Sequence, residues 1–175
     1  MAGLVDIEGY DQKVVNICPN GTSGEVIEIA NLLIQLPKKP AKKDILFSDK
    51  KKEDQYWQRT EMPTDLKRIR SMDEWLEAPK EFRDKHIDFI QGEFTRRNEG
   101  LWFMNDGVAT YLTGRHYMML QWSKLDIGYP YYLEFQHQLF LHQRACECDP
   151  RSLGQIYTKC RRSGYTNMSA AVLLD

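Results

Sequence analysis

Between residues 22 and 36, apolar residues recur at helical spacing behind a capping box, in which a Thr is followed three residues later by a Glu. This spacing predicts a helix over residues 22–36. A second capping box at residues 71–74 and Pro79 predict the start of further helical structure, and Gly100 predicts its end because glycine is favoured just after the last helical residue. The apolar side of this later helix carries Phe82, His86, Phe89, Ile90 and Phe94.

The middle of the chain predicts a β-hairpin followed by two helices. Two apolar runs, at residues 101–104 and 108–112, flank Asn105-Asp106-Gly107, and this order is typical of a hairpin because Asn and Gly tolerate positive φ. Gly114 opens a helical run to residue 122, and residues 134–148 form another. The side chains expected to be buried from the first of these helices are Tyr117, Leu120 and either Met118 or Met119.

A lysine-rich segment punctuated by prolines connects the two halves of this pattern, from residue 37 to about residue 63. Residues 38–70 contain eleven Lys or Arg against six Asp or Glu, so this region is basic although the whole chain has a net charge of −1. We interpret the segment as a solvated linker in preference to a DNA-contacting strip. Its aromatic stretch Gln55-Tyr56-Trp57 is expected to lie against a surface.

Composition fits one ordinary globular domain. The 175 residues are 42% hydrophobic and 28% charged, which is enough to bury a core and unlike a disordered chain. No apolar stretch approaches the ~18 residues that a membrane span needs, so we expect a soluble protein without a membrane partner. Four cysteines without a secreted spacing pattern indicate reduced thiols in a cytosol.

Two histidines and two cysteines within residues 134–148 raise the possibility of a zinc site. Their Cys-x-Cys spacing is tighter than the usual C-x₂₋₄-C, and the stretch has a helical pattern, so the sequence disfavours zinc binding. The four residues are His137, His142, Cys146 and Cys148.

Near the end of the sequence, a strand-like run and a helix-like run enclose a degenerate phosphate-binding loop. Residues 153–158 include Ile, Tyr and Thr, as expected of a strand, and residues 167–174 have helix-compatible composition. The standard loop between such elements is G-x-x-x-x-G-K-[ST], whose backbone N–H groups, Lys and hydroxyl hold the phosphates and Mg²⁺. Over residues 159–166, this chain has Tyr165 in place of that Lys and Lys159 in place of the first Gly.

The other residues of this loop keep a phosphate-binding character. Lys159 can still reach the β- and γ-phosphates from the end of the preceding strand, because its side chain is long and flexible. Gly164 keeps the close backbone approach and Thr166 keeps the Mg²⁺-binding hydroxyl, while Arg161 and Arg162 add positive charge. The pattern favours binding of a nucleoside triphosphate with Mg²⁺, and the alternative is a basic surface turn.

Five motifs occur in a fixed order along the chain. They are Gly100-Leu101-Trp102-Phe103, Tyr111-Leu112-Thr113-Gly114-x-His116-Tyr117, Asp126-Ile127-Gly128-Tyr129-Pro130, Asp149-Pro150 and Lys159-x-Arg161-Arg162-x-Gly164. Together they resemble the N-terminal part of the large terminase subunits of tailed DNA bacteriophages, with the closest likeness to the crAss-like group. The resemblance covers about residues 36 to 175.

This resemblance implies an ATP-driven motor that docks on the portal protein of a procapsid and pumps double-stranded genomic DNA, with a nuclease later in the same polypeptide. It also implies a small terminase subunit as a partner, a homo-oligomeric ring in the full-length protein, and a location in the host cell cytoplasm without retention in the mature virion. Large terminase subunits are similar in placing the phosphate-binding Lys at the start of the loop, which matches Lys159. Their loop also carries an Arg that stabilises the transferring phosphoryl group, which matches Arg161 or Arg162.

ATP and Mg²⁺ are the cofactors that the resemblance implies. A glutamine upstream of the first motor strand reads adenine in this family, and Gln136 or Gln138 matches it. Thr166 is the residue implied to bind Mg²⁺. The residues implied to bind the phosphates are Lys159, Ser163, Gly164, Tyr165 and Thr166.

The expected fold is an α+β N-terminal region, with helices and a β-hairpin, that leads into a partial α/β P-loop NTPase ending at the Walker A helix. Its expected divisions are residues 1–70 for the N-terminal helix and basic connector, 71–150 for a helix-hairpin-helix subdomain, and 151–175 for the first strand, the deviant Walker A loop and the following helix. Hydrolysis also needs a second strand that ends in carboxylates, which does not follow the loop here, so we expect this chain to be the inactive front end of a motor. The alternatives are a small phage structural or portal-associated interaction protein and a fragment of another P-loop ATPase or helicase.

Overall fold

The computed structural model describes residues 3–18, 22–124, 128–158 and 168–170, and this part of the chain has a mixed α+β fold. The α+β class expected for the N-terminal region is therefore confirmed. Its strands are β1 (Gly3–Val5), β2 (Val14–Asn16), β3 (Ser23–Ile29), β4 (Leu32–Pro37), β5 (Leu101–Asn105) and β6 (Val108–Leu112). Its helices are α1 (Met72–Glu77), α2 (Lys80–Glu99), α3 (Gly114–Trp122) and α4 (Glu134–Cys148).

Strands β3 and β4 form a β-hairpin, so the predicted helix over residues 22–36 is wrong. The strands pair antiparallel with Ile29 opposite Leu32, and Ala30-Asn31 form the turn between them. The φ angles of the two turn residues are 48° and 64°, in the left-handed region that suits a two-residue hairpin turn. In this short apolar run a period of two coexists with helical spacing, and its β-branched Val and Ile favour the strand.

The hairpin extends into a four-stranded sheet with the strand order β1-β2-β4-β3. Strand β2 pairs with β4 in parallel, with Val15 opposite Ile34, and all three residues of β2 are buried. Helix α4 and the β5–β6 hairpin pack against this sheet, so the N-terminal sheet and the later elements share one apolar cluster. Its buried members are Val15, Ile17, Ile34, Leu36, Ile45, Trp102, Tyr111, Leu141 and Ala145.

The basic connector packs against the β5–β6 hairpin and α3, contrary to the solvated linker that its charge predicts. The backbone of Leu46 bridges to the strand β5, and Trp57 is buried with edge-on aromatic contacts, as the aromatic stretch predicts. The side-chain amide of Gln121 in α3 exchanges hydrogen bonds with both backbone groups of Thr60. The lysines of this segment lie on its outer side, with Lys42, Lys43, Lys51 and Lys52 all exposed.

Helices α1 and α2 begin and end close to the predicted positions. The Ser71 hydroxyl accepts a hydrogen bond from the Glu74 N–H, as expected of the capping box, and Pro79 immediately precedes the first residue of α2. Gly100 follows α2 with a φ of 76°, which favours glycine. Of the predicted apolar side of α2, His86 is buried whereas Phe94 is largely exposed. None of the helices in the described segments is long and apolar enough to cross a membrane.

The connector is tied to α2 by one carboxylate. Asp65 accepts hydrogen bonds from Lys85 at 2.6 Å and from the buried His86 Nε2 at 2.9 Å. These donors, Lys85 foremost, lower the pKa of Asp65 to about 2. The contact therefore holds the end of the connector against the middle of α2.

The predicted hairpin and the helix after it are both confirmed. Asp106 and Gly107 form the turn between β5 and β6 with φ angles of 48° and 82°. Helix α3 is capped by the Thr113 hydroxyl, which accepts from the His116 N–H. This helix buries Tyr117, Leu120 and Met119, whereas Met118 is only half-buried.

Residues 152–158 contain no regular strand, in contrast to the strand predicted over residues 153–158. The side chains of Leu153 and Ile156 are almost fully exposed. A strand forms only when another strand accepts its backbone hydrogen bonds, and none of the described strands pairs with this segment. Within the helix predicted after the loop, residues 168–170 are described and are helical, and Met168 is buried.

Candidate functional site

The structure describes only the glutamine part of the nucleotide site predicted from the sequence. The predicted phosphate- and Mg²⁺-binding residues lie outside the described residues. They are Lys159, Arg161, Arg162, Ser163, Gly164, Tyr165 and Thr166. The two candidate adenine-reading residues, Gln136 and Gln138, lie in the first turns of α4.

The two glutamines occupy different environments. Gln136 is buried, with 7% of its surface exposed, and its side-chain carbonyl oxygen has no hydrogen-bond partner among the described residues. Gln138 is exposed, and its side chain interacts with the Glu134 carboxylate. Buried polar atoms in folded proteins almost always have a partner, and leaving one unpaired costs about 1–3 kcal/mol. Gln136 is therefore the glutamine whose environment provides an unused acceptor.

The next residue of α4 anchors this helix to the β5–β6 hairpin. His137 Nε2 lies 2.7 Å from the Tyr111 carbonyl oxygen, and because a carbonyl can only accept, the ring donates from Nε2. His137 Nδ1 faces Glu134 Oε1 at 3.5 Å. This hydrogen bond fixes the start of α4, and with it the backbone that carries Gln136.

An aromatic stack around His116 fills the space between α3 and α4. The His116 ring lies parallel to Phe140, with centroids 4.7 Å apart, and also stacks on Tyr132 at 5.7 Å. Both ring nitrogens are buried without a hydrogen-bond partner in the described part of the chain. Burial in this apolar setting, followed by the neighbouring His137, holds the pKa of His116 well below its usual value, so the ring is neutral.

The Glu134 carboxylate, at the amino end of α4, already accepts a hydrogen bond within the fold. Tyr132 donates its hydroxyl to Glu134 Oε2 at 2.7 Å. Partial burial raises the pKa of Glu134, but the hydrogen bond from Tyr132 and the proximity of His137 outweigh this, and the net pKa is lowered. The carboxylate is therefore ionised at neutral pH and serves to order the aromatic stack.

The far end of α4 holds the segment that leads towards the predicted phosphate loop. The Gln155 side-chain amide donates to the carbonyl oxygens of His142 and Gln143, each at 3.3 Å. The Tyr157 hydroxyl lies 3.2 Å from His142 Nδ1. Because of these contacts, residues 155–157 lie back alongside α4 and do not lead away from it.

The four residues of the possible zinc site do not converge. His137 is bonded to the hairpin, Cys148 packs against the sheet cluster, and only His142 and Cys146 lie close together, with the Sγ 3.8 Å from Nδ1. Among the described residues, no group of three or more His, Cys, Asp or Glu side chains could hold a metal ion. The predicted Mg²⁺ ligand, Thr166, lies outside those residues.

Sequence reasoning did not assign a role to His116, although it lies in one of the five motifs. Its signal was its position two residues after Gly114, on a helix that buries Tyr117, Met119 and Leu120. No spacing rule distinguishes a stacked, neutral histidine from an exposed one, and the structure is needed to do so.

Comparison of the chain with protein-family models, with curated proteins and with solved structures finds no match.

Proposed function

We propose that this chain is the N-terminal part of an ATP-driven DNA-packaging motor of the terminase large-subunit class. The proposal rests on the ordered motifs over about residues 36 to 175. In this proposal the loop over residues 159–166 is the phosphate-binding loop of an α/β P-loop core. Lys159 and either Arg161 or Arg162 neutralise the phosphates of ATP, and Thr166 binds Mg²⁺. The motor's partners are double-stranded DNA, the portal protein, the small terminase subunit and other copies of itself.

One structural observation that supports the proposal is the carbonyl oxygen of Gln136, which is unpaired among the described residues. Adenine presents an N6 amine that donates a hydrogen bond beside an N7 that accepts one, and a glutamine amide can pair with both. In this proposal the Gln136 oxygen, which has no hydrogen-bond partner among the described residues, is the acceptor for N6. Gln138 is exposed, and in this proposal it has no part in reading the base.

The geometry also fits the order in which a nucleotide would be held. Gln136 lies at the start of α4, and residues 155–157 return along the same helix before the phosphate-loop sequence begins at Lys159. A base held near α4 and phosphates held by the loop would then be bound by neighbouring parts of one chain. This arrangement supports a single nucleotide site made from the second half of the sequence.

The proposal predicts that the chain binds ATP in preference to GTP through Gln136. In Gln136→Leu this preference should fall at least tenfold, since a buried hydrogen bond of about 1.4 kcal/mol corresponds to that factor. Gln138→Leu is the matched control on the same helix and should keep the preference. Titration of a fluorescent ATP analogue, with unlabelled ATP and GTP as competitors, measures these affinities.

Stability provides an independent check on the same variant. Because Gln136 carries an unpaired buried oxygen, Gln136→Leu should unfold at an equal or higher temperature than wild type when no nucleotide is present. A loss of ATP preference together with unchanged or increased stability supports a ligand-binding role. Equal affinity of the wild-type chain for ATP and GTP would contradict the adenine-reading role of Gln136.

A second candidate, an interaction protein without nucleotide binding, is favoured by one observation. A largely apolar groove of about 510 Å³ lies between α1 and α2, and beside Arg70 it is lined by the exposed Met72 and Phe94 and by the half-buried Trp75. Exposed apolar patches of this kind are typical of protein-binding surfaces. Absence of any ATP or GTP binding by the folded chain would favour this candidate over the motor.

A further inference from the structure

The apolar groove between α1 and α2 is separate from the proposed nucleotide site, because none of its lining residues belongs to the predicted set. Residues from the segment 62–72 and from the two helices line it, together with Trp122 of α3. Phe94 at its edge is 58% exposed, whereas Trp75 packs edge-on against Phe82 with the ring centroids 6.2 Å apart. An open apolar groove of this kind is typical of a surface that binds another protein segment.

One carboxylate of α2 fixes the side of the groove that faces α3. Glu93 accepts a hydrogen bond from the Trp122 indole N–H at 2.8 Å and another from the Tyr117 hydroxyl. Its second oxygen accepts from Arg96 at 2.6 Å. A polar network that is satisfied in this way is rigid, so the groove is preformed and does not depend on a partner for its shape.

Arg70 is the charged residue of the groove whose side chain has no partner among the described residues. The other charged lining residues, Glu93 and Arg97, both interact within the protein. The Arg70 side chain is exposed, and its backbone N–H donates to the Glu74 carboxylate at 2.6 Å. The rim of the groove therefore presents a guanidinium group that can pair with a carboxylate of an incoming surface.

Helix α1 itself presents the kind of surface that such a groove accepts. Met72 and Leu76 lie four residues apart on one side of the helix and are 68% and 59% exposed, and Leu76 does not line the groove of its own chain. Asp73 and Glu77 flank this apolar ridge, and both are exposed and without a partner in the described part of the chain. Apolar residues at this spacing are the usual anchors of a helix that binds in a groove.

We propose that the groove binds a second copy of this chain, with α1 of each copy lying along the groove of the other. The two α1 helices are antiparallel about a two-fold axis, so Arg70 at the start of one lies beside Glu77 at the end of the other. Leu76 of each copy enters the groove of the other copy beside Phe94. A self-complementary contact closes after two copies, so it is distinct from the ring that the resemblance implies.

The test measures self-association of the whole chain by sedimentation velocity. Wild type should pass from monomer to dimer between about 1 and about 200 µM, as expected for an interface of small area. Leu76→Glu should weaken the dimer about tenfold or more, because it places an unpaired charge in an apolar groove. Phe94→Glu should have the same effect from the other side of the contact.

Val108→Glu is the matched control for these two variants. Val108 lies in the β5–β6 hairpin, is 65% exposed and does not line the groove. It receives the same charge at an exposed apolar position, and its dimer affinity should stay within a factor of about two of wild type. Circular dichroism should show the wild-type fold in all three variants, because the substituted side chains are exposed.

Charge reversal tests the pairing of Arg70 with Glu77 across the two copies. Arg70→Glu should weaken the dimer about tenfold, because like charges then face each other. Adding Glu77→Arg should restore most of the affinity, since the pair is re-formed with its signs exchanged. Lys51→Glu makes the same charge change at an exposed position of the connector, outside the groove, and should leave the dimer intact.

Three results would overturn the proposal. They are a chain that stays monomeric throughout the concentration range, equal weakening by Leu76→Glu and Val108→Glu, and no recovery of the dimer in the variant with both charges reversed. Species larger than a dimer would also contradict a closed two-fold contact. The measurements need no nucleotide and change neither Gln136 nor the phosphate loop, so the proposed ATP binding stands or falls separately.

Discussion

Protonation of a single residue, His116, affects the stability of the fold. Its ring is fully buried between Phe140 and Tyr132, and the centroid of the His137 ring lies 5.9 Å away. Burial lowers the pKa of the folded-state ring well below its usual value. The unfolded chain therefore takes up a proton on this residue before the folded chain does, and protonation favours unfolding.

We expect the free energy of unfolding to fall as the pH drops below about 6.5, the usual histidine pKa, by up to about 1.4 kcal/mol per pH unit from this residue. The contribution of neutral His116 to the free energy of unfolding is fully present above that pH. It decreases as the pH falls towards the lowered pKa of the folded state. His116→Phe keeps an aromatic ring in the stack but cannot take up a proton, so its stability should decline less between pH 7 and pH 5. Urea unfolding at several pH values measures both slopes, and identical slopes in the two proteins would contradict the buried, neutral histidine.

The resemblance to large terminase subunits implied two possible adenine-reading glutamines, and the sequence could not choose between them. Gln136 and Gln138 lie two positions apart, and only the face of α4 that packs inward decides which one is buried. That face is set by contacts with β2 and α3, elements that are distant in sequence. The buried choice, Gln136, therefore required the structure.

At the scale of elements, local signals worked wherever one residue determined the backbone. Gly100 and Gly107 adopt positive φ as the sequence predicts, and Ser71 caps its helix. The segment from residue 22 to residue 36 failed because its apolar spacing fits a helix and a hairpin alike. The two-residue turn at Ala30-Asn31 lacks the glycine that usually marks such a turn, so the sequence contained only a weak signal for it.

The turn itself provides a test of the hairpin. Ala30 has a φ of 48°, a conformation that costs an alanine about 1–2 kcal/mol relative to the right-handed region. Ala30→Gly should therefore raise the free energy of unfolding by about 0.5–1 kcal/mol after the entropic cost of glycine is included. In a helix the same substitution would lower it by about 1 kcal/mol, so thermal or urea unfolding distinguishes the two structures.

Ala41→Gly is the matched control for this experiment. Ala41 is exposed like Ala30, but its φ of −61° is ordinary for alanine. Glycine at this position should lower the free energy of unfolding by about 0.5–1 kcal/mol, because it only increases the freedom of the unfolded chain. Stabilisation by both substitutions, or by neither, would contradict the left-handed turn.

At the scale of the whole molecule, the α+β class was predictable but the packing of its parts was not. The N-terminal sheet shares a core with α4 and the β5–β6 hairpin, although the sequence placed them in separate segments. The charge count suggested a solvated connector, whereas its apolar residues Ile45, Trp57 and Leu66 are buried. Contacts between residues that are distant in sequence leave no local pattern, since each of the two residues is an ordinary apolar residue.

The central claim, that this chain belongs to an ATP-driven motor, is tested most directly by ATP turnover in a polypeptide that joins these 175 residues to a Walker B strand. Lys159→Ala should remove a charge-assisted phosphate contact of about 1.5–3 kcal/mol and reduce turnover about tenfold or more. Tyr165→Lys added to that variant should restore part of the activity, because position 165 is where the standard loop carries its lysine. Full turnover in Lys159→Ala would contradict the displaced-lysine motor.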